Sequence, residues 1–260
     1  MTPAETASFS TETIGLVAAV GRLVEVTDGE LARYAELIYR RTGIRVAPQK
    51  KTLLSNRVRR RLRETGIDSY GAYYQHLKRL RPSDPEWGAF LQEITTHETY
   101  LFRDEGHWDW LRNVYLPQVA AEARSGSRPR RLRVWSAACS TGDEPFTAAC
   151  CIADSLANHQ QFFKKAAGAG VWQAKPVLTR MVAFRHHNLL DPLREMPFDL
   201  VFVKNVLIYF DRASKRRVMD NVRAAVRPGG LLVAGAAEGI GELLKDYARV
   251  QSWLYRRSEQ

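Results

Sequence analysis

The stretch Val134-Trp135-Ser136-Ala137-Ala138-Cys139-Ser140-Thr141-Gly142-Asp143-Glu144-Pro145 decides the fold class. An apolar strand runs through small residues into a helix start that carries two carboxylates. Small side chains let a ligand approach the backbone closely, and proline suits the first helical position, where its missing N–H is no loss. A phosphate-binding loop presents bare amides from a glycine-rich turn or ends in Gly-Lys-Ser/Thr, and this loop does neither. Glu144 would repel a phosphate. It suits a ligand bearing amine, hydroxyl or sulfonium groups, such as S-adenosylmethionine, better than ATP. An NAD-dependent enzyme is disfavoured because the dinucleotide glycine pattern is missing.

Outward from this loop, strands and helices alternate. Leu132–Ser136 reads as a strand and Glu144–Leu156 as a helix. Leu200–Val203 reads as a buried strand, Ser214–Val226 as a helix, and Leu231–Ala236 as a strand after an Arg227-Pro228-Gly229-Gly230 turn. Trp108–Ala123 is expected to be helical and Ser252–Tyr255 to close the sheet. Such alternation builds a mainly parallel sheet, whose ligands lie beyond the carboxyl ends of the strands. The opening loop and Lys204-Asn205 both fall at such ends.

Toward the N-terminus the pattern is purely helical. Asp28 is expected to cap a helix through Arg40, with Leu31, Tyr34, Leu37 and Ile38 on its inner face and Gly43 ending it. Ser69 starts another helix, and Arg81-Pro82-Ser83-Asp84-Pro85 breaks the pattern before one carrying Phe90, Leu91 and Ile94. Between them, Lys50–Arg63 places Leu54, Val58 and Leu62 on one stripe under a basic outer face, where Lys50, Arg57 and Arg61 are expected to fall together.

The chain has 260 residues, 45% of them hydrophobic, and a net charge of +11. The length allows one large or two modest domains. No apolar run approaches the ~20 residues of a membrane span, and the start Met1-Thr2-Pro3-Ala4-Glu5 lacks the pattern of a signal peptide, so a cytoplasmic location is expected. Cys139, Cys150 and Cys151 show no metal-ligand spacing and are expected to be reduced, and no metal is expected. A charge of this size suits nucleic acid, an anionic membrane surface or an acidic protein partner. Nucleic acid is disfavoured, because no base-reading motif accompanies it.

Three further segments carry a family resemblance: Ile94-Thr95-Thr96-His97-Glu98-Thr99-Tyr100-Leu101-Phe102-Arg103, the pair Asn188-Leu189, and Phe198-Asp199-Leu200-Val201-Phe202-Val203-Lys204-Asn205-Val206-Leu207-Ile208-Tyr209-Phe210. With the opening loop, they resemble the CheR family of chemotaxis receptor (protein-glutamate O-) methyltransferases over residues 27 to 257. The resemblance implies an α/β protein: a small all-α, receptor-facing domain over 27–100, then a Rossmann-like S-adenosylmethionine-dependent domain over 101–260. A weakly ordered arm, 1–26, precedes them. The resemblance implies Arg103 and Tyr209 at the reacting methyl group, and a cofactor set of His97, Thr99, Arg103, Glu144, Asn188, Leu189, Lys204 and Asn205. It also implies that Lys50, Arg57 and Arg61 meet the acidic helical region of chemoreceptors. Two positions depart from the family: His97 stands where Asn is usual, and Lys204 replaces Arg, losing a planar two-pronged contact.

A larger departure follows the first helix. Methyltransferases of this fold place an acid at the end of the next strand to bond the ribose hydroxyls, yet from Leu156 to Asp191 there is no Asp or Glu. A strand and a crossover helix are missing, and 157–183 resembles a residual β-hairpin subdomain in which Phe162–Lys165 and Val171–Lys175 flank a glycine-rich turn. The sheet is therefore expected to end at the strand carrying Val134, with an edge for residues 157–175 or a partner chain to cover. Two functions are compatible with this: methylation of receptor glutamates with weakened cofactor affinity, or a CheR-like binding protein that has lost the cofactor.

Overall fold

The computed structural model describes residues 26–81, 83–95, 97–153, 162–165 and 172–259. All but the last residue of the expected N-terminal arm, and the glycine-rich turn of the hairpin, lie outside the described residues. Residues 26–34 with 49–94 form one compact unit, and 35–48 with 95–259 another.

The first unit is helical. Helix α1 (Asp28–Thr42), within which the boundary between the units falls, begins with a reciprocal cap. The Thr27 hydroxyl accepts the Glu30 N–H at 3.2 Å and the Glu30 carboxylate accepts the Thr27 N–H at 2.9 Å. The cap is therefore Thr27 rather than Asp28, because only the Thr27–Glu30 spacing closes both bonds. Helices α2 (Lys51–Thr65), α3 (Tyr70–Arg79) and α4 (Pro85–Ile94) complete the unit around Tyr34, Val58, Tyr73, Leu77 and Phe90, all buried. Tyr73 meets Phe90 edge to face at 5.9 Å.

The basic face of α2 differs from expectation at Arg61. This residue is 9% exposed and grips Glu86 with two nitrogens, at 3.1 and 2.6 Å. Glu86 also accepts the Tyr73 hydroxyl at 2.5 Å. The reason is helical geometry: positions 54, 58 and 61 follow the i, i+4, i+7 stripe, so Arg61 lies on the inner face with Leu54 and Val58. Leu62 is only partly buried. Arg57 donates to the Ile94 carbonyl, Arg60 pairs with Glu93 at 3.1 Å, and Lys50 is exposed in a 3-10 turn ahead of α2.

Among the described residues the second unit contains a five-stranded sheet. Strands β1 (Val134–Ala137), β4 (Phe198–Val203) and β5 (Val226–Ala234) run parallel, while β7 (Leu254–Arg257) pairs antiparallel with β5 and with β6 (Tyr247–Arg249). The order is β1-β4-β5-β7-β6. Side chains alternate across β4. Leu200 and Phe202 face a core with Trp108, Leu111, Tyr115, Ala148 and Cys151, whereas Val201 and Val203 face Val218, Met219 and Val222 of α9 (Arg212–Ala225). Burial on both faces explains the unbroken apolar run Leu200–Val203 within β4.

The local boundaries show what the sequence pattern misses. The expected helix at 108–123 spans α5 (Glu105–Trp110), a π-turn at Leu111–Tyr115 and α6 (Leu116–Arg124). The widened turn precedes Pro117, which cannot donate to the preceding turn and crowds its carbonyl. Helix α7 (Asp143–Ala153) has Pro145 as its third residue, still inside the turn whose N–H groups need no helical partner. Arg227–Gly230 is not a separate turn but an excursion within β5, between the pairs Phe198–Val226 and Leu200–Leu231.

Strands β2 (Phe163–Lys165) and β3 (Trp172–Ala174) pair antiparallel, followed by the short helix α8 (Pro176–Thr179). Among the described residues β1 pairs only with β4, leaving it at the sheet edge. Beside it, His187 meets the Trp135 ring edge to face at 6.2 Å and Phe184 packs against Phe146.

Candidate active site

The loop after β1, the loop after β4 and the segment 95–104 converge in the second unit on a cavity of about 280 Å³. This is near the lower end of ordinary ligand pockets, about 300–1,000 Å³. Among the described residues, the non-glycine positions in left-handed backbone are Phe102, Asp104, Ala138, Ser140 and Asn205, with φ between 51° and 67°. All lie in these three loops. Left-handed L-residues are uncommon and concentrate where a backbone is shaped for a ligand.

A buried cation organises the floor. The Lys204 side chain is 2% exposed, with its ammonium 2.8 Å from Asp104, 3.7 Å from Glu144 and 3.4 Å from the Arg103 carbonyl. It also lies over the Trp108 ring, whose indole N–H donates to that same carbonyl at 2.7 Å. Burial works to raise the Asp104 pKa, but the Lys204 ammonium outweighs it, so Asp104 ends below the usual carboxylate value. Glu144 ends above it, because its burial outweighs the help of Lys204 and of the Ser136 hydroxyl at 2.6 Å. Burial, reinforced by Lys204, pushes His107 down to about 4. Burial and then Glu144 raise the Cys139 thiol.

Arg103, Tyr209, His97, Thr99, Glu144, Lys204 and Asn205 all line the cavity. The Arg103 guanidinium donates to the Glu98 carbonyl and lies over the exposed Tyr100 ring. His97 bridges the Thr95 hydroxyl at 2.7 Å and the Ser140 hydroxyl at 3.0 Å, so its imidazole ties the 95–104 segment to the β1 loop. Asn188 and Leu189 are not among the lining residues. The Asn188 amide instead donates to the Arg41 carbonyl at 2.8 Å and accepts the Leu190 N–H at 3.1 Å, and Leu189 packs into the core beneath α9. One short-range turn bond, to Leu190, and one long-range bond, to Arg41, claim the Asn188 side chain.

Sequence reading missed three residues. Asp104 follows the recognised motif immediately, and its exposure in sequence gave no sign of a buried partner 100 positions away. Trp108 had been assigned only to a helix. Glu238 is completely buried beneath the loop after β4, accepting backbone N–H groups from Asn205 and, at 2.7 Å, from Leu207.

The arrangement fits an S-adenosylmethionine-like ligand on its own evidence. Glu144 faces the cavity from a partly buried position with acceptor capacity beyond the Ser136 bond, suited to an amine or hydroxyl. Ala138, Cys139 and Ser140 leave the backbone open, and Tyr100, Trp108 and Tyr209 supply apolar surface.

Known proteins resemble this chain along nearly its whole length. The all-alpha domain of CheR methyltransferase matches residues 29–95. The SAM binding domain of CheR methyltransferase matches in two stretches, 97–167 and 155–253, that overlap on this chain. The chemotaxis protein methyltransferase of Klebsiella aerogenes is 30% identical over 283 residues, covering 93% of this chain and 94% of the relative. That of Salmonella typhimurium is 30% identical over 275 residues, covering 90% and 92%. Chemotaxis protein methyltransferase 1 of Pseudomonas aeruginosa is 31% identical over 251 residues, covering 80% and 89%. An alignment of 283 positions exceeds the 260 residues of this chain, so the Klebsiella relative carries residues that this one lacks.

Proposed function

The chain belongs to the CheR methyltransferase family, and we propose from that premise that it transfers a methyl group from S-adenosylmethionine to glutamate side chains of a chemoreceptor, in the cytoplasm. The single observation that supports this best is the convergence of Arg103, Tyr209, Thr99, Glu144 and Asn205 on one cavity. Among the described residues no helix is long and apolar enough to cross a membrane.

When bound, the cofactor supplies an electrophilic methyl group. The protein's part is positioning. A glutamate carboxylate, with a pKa of about 4.3, is already ionised near neutral pH and needs no general base. Arg103 leaves the Glu98 carbonyl to pair with the incoming carboxylate, and Tyr209 completes the wall beside it. Glu144 takes the ligand's amine or hydroxyl groups, with Lys204 holding its carboxylate in place. Alignment of this kind is worth roughly 7–11 kcal/mol of the barrier. The helical unit presents Lys50 and Arg57 to the acidic region of the receptor, with Arg61 withdrawn from that role by its bond to Glu86.

The affinity for cofactor is lower than is usual for the fold. With no carboxylate between Leu156 and Asp191, two hydrogen bonds to a charged group are lost, each worth about 1.5–3 kcal/mol. That amounts to about two to four powers of ten in Kd. Calorimetric titration with S-adenosylmethionine and its demethylated product, alongside methyl transfer to a receptor cytoplasmic fragment, tests both parts. Transfer with a Kd in the high micromolar range is expected. Submicromolar binding would refute the affinity argument, and absence of binding at millimolar ligand with receptor association intact would replace the enzyme by a binding protein.

A further inference from the structure

Glu238 is a buried carboxylate that the proposed chemistry does not use. Its side chain is 0% exposed, and among the described residues no ammonium or guanidinium forms an ion pair with it. Its charge is met by the backbone instead. One oxygen accepts the Asn205 N–H and the other the Leu207 N–H at 2.7 Å. Asn205 makes this possible: its φ of 56° turns successive N–H groups toward one side, the geometry of an anion-binding backbone concavity. The turn carrying Glu238 is shaped to the same end. A Cβ on Gly235 would lie 2.9 Å from the carboxylate and 3.6 Å from the Asn205 nitrogen, so only glycine leaves room. Lys215 secures the turn from α9 by donating to the Glu238 carbonyl at 2.6 Å.

The loop so gathered carries Lys204, Asn205, Val206 and Tyr209 into the cavity. Its far end is fixed separately, since the Tyr209 carbonyl accepts the Arg45 N–H at 2.9 Å and Phe210 bridges to Ile44. We propose that Glu238 is a positioning residue of the active site: its carboxylate replaces a stretch of secondary structure and sets the path of residues 205–208, so that Asn205 and Tyr209 face the ligand. This inference rests on the methyltransferase reading for its ligand, but its backbone component does not.

The test uses the full chain and two measurements. Amide hydrogen exchange is followed residue by residue in wild type and Glu238→Gln, whose amide keeps the volume but offers a single accepting oxygen. Affinity for S-adenosylhomocysteine is measured calorimetrically on the same samples, with turnover. In the variant, the Asn205 and Leu207 amides should lose protection by at least about tenfold while those of β4 and α9 are unchanged, and affinity should fall by about tenfold. Unaltered protection at Asn205 and Leu207 overturns the proposal. So does lost protection with affinity and turnover within about twofold of wild type, which would make the carboxylate merely structural. Should Glu238→Gln not fold, Glu238→Asp, which keeps the charge and shortens the reach, is read by the same criteria. A wild-type protein that does not bind the compound sinks the methyltransferase reading, and the exchange result alone then decides the role of Glu238.

Discussion

Replacing Arg61 by Met should destabilise the helical unit, which matters because Arg61 lies in the basic stretch expected to meet the receptor. The side chains of Arg61 and Glu86 are 10% and 16% exposed, so water screens their pairing little. Removing one partner of such a pair typically costs about 3–5 kcal/mol, because the other charge stays buried. Tyr73 still donates to Glu86 and softens the loss, while Glu64, 56% exposed, adds almost nothing to the wild-type pairing. We expect a loss of about 3 kcal/mol. With a urea slope of about 1–2 kcal/mol/M for a unit of this size, the midpoint falls by about 1.5–3 M. Near-UV circular dichroism follows the packed Tyr34, Tyr73 and Phe90. The double variant Arg61→Met/Glu86→Met should recover most of the loss, since two apolar groups then fill the site. A single variant within about 0.5 kcal/mol of wild type, or a double variant no better than the single, would refute the reasoning. Any drop in receptor association in Arg61 variants is then a loss of folding.

Other expectations concern the cavity. Arg103→Ala should lower turnover by about a hundredfold while changing cofactor affinity far less, with Lys restoring part of the rate; equal turnover would remove Arg103 from the mechanism. Lys204→Met should cost about 2–3 kcal/mol of stability, the lower end for a broken buried pair because Asp104 is half exposed. Glu144→Gln in that background should restore part of it, and thermal melts that show no such coupling contradict the shared-cation arrangement. His107 has a folded-state pKa of about 4, below the ordinary 6.5. The unfolded chain thus binds the extra proton first, and His107's contribution to stability is lost as pH falls from about 6.5 toward 4. The raised pKa values of Glu144 and Glu238 act in the opposite sense, so the informative quantity is the difference between wild type and His107→Gln across that window. That difference should shrink on acidification.

Much of the molecule is legible in its sequence because its signals are local. The small-residue loop between Val134 and Pro145, the apolar run of β4 and the Asp/Glu-free stretch after Leu156 each state a backbone fact that neighbours in sequence enforce. Together with the Thr95–Arg103 segment they identify the family and most of the cavity wall. Among the described residues, even the edge position of β1 follows from counting what the chain lacks.

The order of elements, the fold class and the motif residues that reach the cavity can therefore be read from the chain without its folded form. Tertiary structure alone decided which charges are buried and with whom. Arg61 turned inward because Glu86, 25 positions later, meets it on the apolar stripe of α2. Lys204 became the floor of the site by meeting Asp104 and Glu144, and Glu238 acquired a role 33 positions from the loop it gathers. Asn188 bonds the Arg41 carbonyl instead of lining the cavity. Periodicity and motif spacing report the direction of a side chain relative to its own element. The cost of burying a charge is settled by partners that only the folded chain brings within about 4 Å.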